Sequence, residues 1–555
     1  MASFNGNDHD EAPSKIRILS LNCWGLKYIS KYRRERLSEI GRQLALADPS
    51  PEIVGLQECW TQEDYESIRQ QTQHILPYGK FYFGGIFGAG LAILSRWPIE
   101  ESGMYGYPLN GRPTAFFRGD WFVGKGVASA RIRFGPGIAD VAEVFCTHLH
   151  APYEREPHDS YLCHRTAQAW EISKLMRGAA ERGHLVIGLG DFNMLPSSFA
   201  HRLITAQSPV RDVWRELHPD SSVGAAIDAV ERARNRPTPS AEYNLIENGA
   251  TCDGSYNTWR WSEALRKQLD KGQDVTIDKD APDPRAKRLD YIFVGDGGYA
   301  PEFPPPRWSV ESANVGMIQR HPKLRCSLSD HFAVEAVITR NPGRATLSTR
   351  TSSEPGSPRS PSLRKTASKQ VSPNAALTPE TYDHIIDMIH TYVRRERSQR
   401  RWRLIHFIVS ILISIGCMVG IWWVGSRTYI GFILILVSTL NFGAGILDGL
   451  IGGLFVSSEL RALKEFEWEV RNARGLVLAA EGIASGERQN DTQLPKQGTL
   501  AVLDPCIDRF NTSQNSNNEI TLGSLHGALS SKTEPLCTLA EDCRIHEVES
   551  VDRWR

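Results

Sequence analysis

LVIGLGDFN, residues 185–193, is a short apolar run bounded by glycine that stops at Asp191 and Asn193. A run of this length between turn residues reads as a buried strand rather than a helix, and its end presents two polar side chains. Working outward, the same pattern recurs in IRILSLNCW (16–24), EIVGLQEC (52–59), GLAILSRWPI (90–99), DVAEVFCTHL (140–149) and RLDYIFV (288–294). The stretches 33–47 and 161–180 between them read as amphipathic helices. Strands alternating with helices from Ile16 to about Thr339 predict one layered α/β (α+β) domain. The segment from about Asp220 to Lys287 is rich in charge and turn residues and reads as loops inserted between late strands.

The 555 residues hold 64 Lys plus Arg against 64 Asp plus Glu. Such a balanced chain has no long-range field to draw in polyanions, which counts against nucleic acid as a partner. Its ten cysteines are scattered, with no CxxC pair, and read as reduced thiols. The N-terminal residues 1–14 contain no apolar run, so neither a secretory signal nor a transit helix is expected there, and the first domain should face the cytosol.

After a domain at 15–340, the composition turns to Ser, Thr, Pro and basic residues over 341–378, which predicts a disordered linker. Thr378-Pro379 starts a helix, with a capping hydroxyl and proline at the first helical position. The run 379–403 reads as a basic amphipathic helix ending in six arginines between Arg394 and Arg403. Two apolar stretches, 404–424 and 430–456, follow around a short turn, and each is long enough for a hydrocarbon core of about 30 Å, so a transmembrane hairpin is expected. Basic residues flank both outer ends and only Arg427 lies in the turn, which places both flanks in the cytosol. Gly445, Gly449 and Gly453 suit close helix packing, and Asn441 and Asp448 should face the partner helix. The tail 457–555 begins as a charged helix and becomes polar; with the tail expected in the cytosol, away from the glycosylation machinery, Asn511 in NTS reads as a chance match.

The strand ends carry Asn22, Glu58, His148, Asp191, Asn193, Asp290 and, in SLSDHF, Asp330 and His331. Taken singly, each has a dull explanation as a turn cap or a satisfied core residue. Together they suit a hard divalent cation such as Mg²⁺, held by one or two carboxylates, with histidines free for proton transfer. That combination describes metal-assisted phosphodiester hydrolysis.

Asn22, LQE ending at Glu58, GDFN, LDYIF and SDH, in this order over about residues 15–340, resemble the DNase I-like endonuclease/exonuclease/phosphatase superfamily. The resemblance implies a four-layer α/β sandwich with the site at one end. It also implies Glu58 and Asn22 as metal ligands, with Asp330 in the metal cluster. His331 would be the general base oriented by Asp290, Asp191 and Asn193 would place water and phosphate, and His148 would stabilise the transition state.

THLHAPY (147–153), GLAILSR (90–96) and GDWFVGK (119–125) resemble the neutral sphingomyelinases and the fungal inositol phosphosphingolipid phospholipases C. Gly119-x4-Gly124-Lys125 mimics a nucleotide-binding loop, but Gly126 stands where Ser or Thr would meet Mg²⁺. The resemblance instead makes Asp120 and Lys125 a pair, with Lys125 neutralising phosphate charge, and sets Asn257 in CDGSYNTW toward substrate. The aromatic side chains Phe81, Tyr82, Phe83 and Phe87 read either as core or as an apolar rim beside the site.

The function so implied is Mg²⁺-dependent phospholipase C-type cleavage of a sphingolipid, with Mn²⁺ as a substitute and anionic phospholipids as activators. THLHAPY, the Ser/Pro linker and the hairpin look most like the fungal enzymes and favour an inositol phosphate head group over phosphocholine. A nuclease, an inositol polyphosphate phosphatase and a catalytically dead membrane scaffold are the alternatives. The phosphatases' WxGDxNYR-like motif is replaced here by GLGDFNML, and a nuclease has little use for a hairpin. An intracellular membrane, endoplasmic reticulum or mitochondrial outer membrane, is the expected location.

Overall fold

The computed structural model describes residues 11–154, 159–273, 275–297, 308–341 and 377–490. The N-terminal residues 1–10, most of the expected linker (342–376) and the tail from 491 lie outside the described residues. Two compact units divide the chain at residue 486, and all but the last four described residues belong to the first.

Twelve strands form two six-stranded sheets: β1 Lys15–Asn22, β2 Ile53–Gln57, β3 Tyr78–Tyr82, β4 Leu91–Ser95, β5 Ile99–Gly106, β6 Gly126–Arg133, β7 Val141–His148, β8 Leu185–Asp191, β9 Arg211–Asp212, β10 Asp290–Gly295, β11 Trp308–Gly316 and β12 Ala333–Arg340. The first sheet runs β11-β12-β1-β2-β4-β3 and the second β5-β6-β7-β8-β10-β9. Among the described residues, each sheet has one parallel pair and it is central, β1 with β2 and β7 with β8. These central strands read as unbroken apolar runs because both of their faces are covered. Ile18, Ile53 and Ile93 of the first sheet meet Val144, Ile187 and Ile292 of the second in the central core. The outer face of the first sheet packs on helices Arg33–Leu46 and Gln62–Thr72 through Leu37, Ile40 and Ile68. Helices Leu162–Glu181 and Phe199–Gln207 cover the second sheet. The result is the four-layer sandwich with a C-terminal pair of apolar helices. The segment 220–287 holds only short helices.

The basic stretch and the first apolar span form one continuous helix, Pro379–Gly420, where the sequence suggested two units. Its apolar stripe, Tyr382, Ile385, Ile386 and Ile389, is buried with Trp170 and Met176 of helix Leu162–Glu181 and with Leu463, Phe466 and Val470 of the returning helix Val456–Asn490. Helix Thr428–Leu450 pairs with the first span: Asn441 donates to the Ser410 carbonyl at 2.9 Å, and Asp448 meets Arg403 and, at 2.7 Å, His406. A Cβ on Gly449 would lie 2.9 Å from the Phe407 ring, so the glycine permits this approach.

Where these helices meet the sandwich, Glu396 and Glu459 are buried beside His164, Arg112 and Arg395. His164 Nε2 lies 3.3 Å from Glu459 Oε1. Burial and the nearby Arg395 charge hold His164 down to about 3, and burial pushes Glu459 up to about 7, so below that pH the contact is between neutral groups. A carboxyl whose folded pKa lies above its unfolded value binds its proton more tightly when folded, so stability is full below about pH 4.5 and declines as pH rises toward 7. Glu459→Gln is therefore expected to flatten the thermal midpoint of the full chain in detergent between pH 5 and 8, with a gain of roughly 2–3 kcal/mol at the alkaline end. An unchanged pH profile would refute this.

Candidate active site

Strand register brings the polar ends together. Asn22 pairs with Gln57, immediately before Glu58, in the first sheet; in the second, Asp191 is flanked by His148 on β7 and Asp290 on β10. The Asn22 side-chain nitrogen bridges the sheets, donating to Asp191 Oδ2 at 3.0 Å and to Glu58 Oε1 at 3.3 Å. Trp24, Glu58 and Asn193, all at strand ends, hold left-handed backbone, a strain of roughly 1–3 kcal/mol each that surrounding structure must offset. Gly190 is needed before Asp191 because a Cβ there would run into the Thr147 carbonyl.

His331 Nδ1 lies 2.8 Å from Asp290 Oδ2, which also accepts from Thr251 Oγ1 at 2.5 Å. Nε2 then points at Asp191 Oδ2, 3.9 Å away, and His148 Nε2 reaches the same oxygen at 3.5 Å. Burial works against charging His331, but the negative charges of Asp290 and Asp191 and the hydrogen bond to Asp290 outweigh it and raise its pKa well above the usual value. Burial, with Lys125 and His331 nearby, holds His148 well below. Two histidines about one carboxylate are thus driven in opposite directions, the pattern expected of an acid–base site. Asn193 is tied in by its backbone N–H to Asp191 Oδ1 at 2.9 Å and by its amide to the Leu149 carbonyl at 3.1 Å.

Burial and the Asp330 charge push the Glu58 carboxyl above the ordinary range, and its Oε2 is buried without a hydrogen-bond partner. An orphaned carboxylate oxygen beside a second carboxylate and an amide fits a hard divalent cation. Asn22 turns its nitrogen toward Glu58 and its oxygen to the Trp24 N–H at 3.0 Å, so ligating a cation through oxygen would require the amide to flip and give up that bond. Asp191, Asp290 and His331 also bring ligand atoms within 4.8 Å of one another. The 2.8 Å bond between Asp290 and His331 occupies one nitrogen of that set and makes it better suited to proton transfer.

Lys125 is buried and donates to the Leu149 carbonyl at 3.2 Å and the His148 carbonyl at 3.4 Å. Asp120 stands nearer the rim, accepting from Tyr153 at 2.8 Å with His150 Nε2 at 3.5 Å. No ion pair joins Asp120 to Lys125 among the described residues, although their charges act on each other. Asn257, expected to face substrate, is instead fully buried. It donates to the Ser329 carbonyl and accepts from the Trp259 N–H, both at 3.1 Å, and so braces the loop that carries Asp330 and His331. Of the aromatic set, Phe81 and Tyr82 are buried, whereas Phe83 and Phe87 are exposed.

Two supporting residues escaped the sequence reading. The buried Arg36 guanidinium binds the carbonyls of Cys23, Trp24 and Leu328 at 2.6–3.1 Å, pinning together the loops that follow Asn22 and precede Asp330. An arginine in an amphipathic helix gives no signal of this. Thr251 lies in the loop-rich segment, where no pattern marked it.

A two-sheet sandwich with a carboxylate–amide pocket beside a histidine–aspartate pair at one end is that of a hydrolytic phosphodiesterase. Residues 19–331 match the Endonuclease/Exonuclease/phosphatase family. Over 465 residues, 84% of this chain and 95% of the relative, the sequence is 38% identical to the inositol phosphosphingolipids phospholipase C of Schizosaccharomyces pombe. It is 33% identical over 490 residues to the Saccharomyces cerevisiae enzyme of the same name, covering 84% and 91% of the two chains. Human sphingomyelin phosphodiesterase 2 is 35% identical over 202 residues, 36% of this chain and 46% of that protein. The chain belongs to the Endonuclease/Exonuclease/phosphatase family, within its inositol phosphosphingolipid phospholipase C branch.

Proposed function

We propose that the chain hydrolyses inositol phosphosphingolipids in a membrane, releasing ceramide and the phosphorylated head group. The observation that carries this reading is the extent of likeness to the yeast phospholipases. An alignment of 465 residues is longer than the sandwich domain and must run on into the C-terminal helices, whereas that with sphingomyelin phosphodiesterase 2 spans 202.

In this mechanism His331 in its unprotonated form, which the charge of a cation held near Glu58 would favour, takes a proton from water through Nε2 as the water oxygen attacks phosphorus, while Asp290 fixes the ring and stabilises the imidazolium. Asp191 and Asn193 orient the water and a phosphoryl oxygen, and His148 and Lys125 supply positive or hydrogen-bonding character as charge builds on phosphorus. The bond from phosphorus to the ceramide oxygen breaks, and that oxygen leaves as the hydroxyl of ceramide, taking up a proton that balances the one passed to His331. Glu58 and Asn22, with Asp330 beside them, would hold Mg²⁺, or Mn²⁺ in its place, which when bound supplies Lewis-acid neutralisation of the phosphate. Asp120 stands at the mouth.

The deciding assay is head-group release from inositol phosphoceramide and sphingomyelin in parallel, in detergent micelles with Mg²⁺ or with EDTA. Preference for the inositol lipid with Mg²⁺ supports the proposal. Preference for sphingomyelin would move the substrate, and turnover of neither would refute it.

Two helices long and apolar enough to cross a membrane support an integral membrane protein, with the endoplasmic reticulum or mitochondrial outer membrane as the proposed site. Anionic phospholipids are the proposed activators. Where the helices leave the apolar spans, Arg397, Arg400, Arg401 and Lys464, against the single acid Glu467, line a groove of about 490 Å³ together with Leu404 and Leu460. Each such charge near an anionic surface contributes about 1 kcal/mol. Arg400→Glu/Arg401→Glu is expected to abolish at least about 10-fold of any stimulation by phosphatidylserine while sparing turnover in neutral detergent. Stimulation equal to that of the unaltered chain would overturn the assignment.

A further inference from the structure

Large apolar side chains on water are costly, and a cluster of them marks a contact surface. Phe83, Ile86, Phe87 and Phe117 are 64%, 77%, 58% and 75% exposed. They come from two segments that leave the sheets at the same end. In the first sheet, Asn22 is in register with Gln57, Leu91 and Tyr82, so residues 83–90 emerge beside the site. In the second, Gly106 pairs with Gly126, and Val127 with Thr147 next to His148, so residues 107–125 emerge there too.

The apolar helices arrive at this same end. Arg403, at the start of the first span, donates to the Thr114 carbonyl at 3.0 Å, and the Phe455 ring, at the end of the second, lies 5.6 Å from Trp121. From there the contact continues. The backbone N–H groups of Ile86 and Phe87 donate to the Phe122 carbonyl at 3.0 and 3.2 Å, and the Phe87 and Phe122 rings are 5.6 Å apart. Contacts thus lead from the end of the second span through Trp121 and the adjacent Phe122 to Phe87 and its exposed neighbours.

We infer that the segments 83–88 and 116–122 form a second membrane contact, entering the bilayer interface beside the hairpin and seating the active-site end of the sandwich on the lipid surface. A bilayer is the partner because these contacts lead on from helices that fit one, and because aromatic side chains favour the interface. Ile138, 94% exposed, provides the contrast: it lies in the β6–β7 turn, at the opposite end of the strands. The arrangement explains how a site buried at strand ends meets a phosphodiester that never leaves the membrane. It rests on the hairpin spanning a bilayer.

The test places p-benzoylphenylalanine singly at Phe87, Phe117, Ile138 or Leu412 in the full chain, reconstituted in radiolabelled phosphatidylcholine vesicles and irradiated. Leu412 is 63% exposed in the first span and reports whether the hairpin is in lipid at all. Lipid captured at Phe87 and Phe117 at least about 10-fold above Ile138 supports the inference. Capture at Leu412 but only background at Phe87 and Phe117 overturns it while leaving the membrane assignment intact. Background at all four positions overturns both. As a second readout, Ile86→Ser/Phe87→Ser should lower turnover in vesicles at least about 10-fold and leave turnover of a short-chain, micelle-free substrate within twofold. Equal losses in both would point to a folding defect and overturn the inference.

Discussion

Replacing His331 with alanine is expected to lower kcat for head-group release by at least about 10³-fold, near the upper part of what a positioned general base contributes. The expectation rests on geometry. Nδ1 is held by Asp290 at 2.8 Å, which leaves Nε2 as the nitrogen that faces Asp191 and the cleft. No other side chain among the described residues stands in that position, because His148 reaches Asp191 from the neighbouring strand and burial keeps it from binding a proton readily. Asp290→Asn should lose roughly as much, since an amide presents its nitrogen or a weaker acceptor to Nδ1 and leaves Thr251 a neutral partner. Rates of the full chain in mixed micelles, with thermal midpoints measured alongside, provide the check. A His331→Ala variant that folds and loses less than 10-fold would sink the proposed role.

Glu58→Gln should have an effect of similar size, but with a different signature. The substitution keeps shape and removes the charge that a divalent cation requires, so affinity for Mn²⁺ followed by paramagnetic resonance is expected to fall by about 100-fold or more, and turnover with it. Without added metal, the same variant should be more thermally stable than the unaltered chain, because it removes a buried carboxyl set against Asp330. A purely structural Glu58 would give the reverse, with lower stability and unchanged metal affinity. Excess Mg²⁺ should restore part of the activity if weakened binding is the main defect.

Most of the candidate site was legible because its polar groups terminate strands whose apolar runs are short and regular. Asn22, Glu58, His148, Asp191 and Asp290 each follow or open such a run, and parallel or antiparallel register does the rest. The loop carrying Asp330 and His331 was found through its SDH motif, yet what holds it was invisible. Arg36 sits on a helix whose pattern gives no reason to bury a guanidinium, and its carbonyl partners are backbone atoms, which carry no sequence signature. Asn257 shows the converse error: its side chain caps a short turn and grips the Ser329 carbonyl, a supporting task that looks the same in sequence as substrate contact. The helix from Pro379 was legible as amphipathic, but periodicity says only that a stripe is covered, never by what.

The shared core between the sandwich and the C-terminal helices limits how the enzyme can be simplified in the laboratory. Trp170 is 4% exposed because Tyr382 and Phe466 lie against it, and its indole N–H is satisfied by Glu469 at 2.8 Å. Ending the chain after β12 would strip that cover, leaving a tryptophan and a methionine facing water. A soluble catalytic fragment would then stick to itself or to detergent. The better route to a soluble form keeps both helices that pack on the sandwich, Pro379 to about Arg403 and Val456 onward, and replaces only the apolar hairpin between them with a short polar bridge.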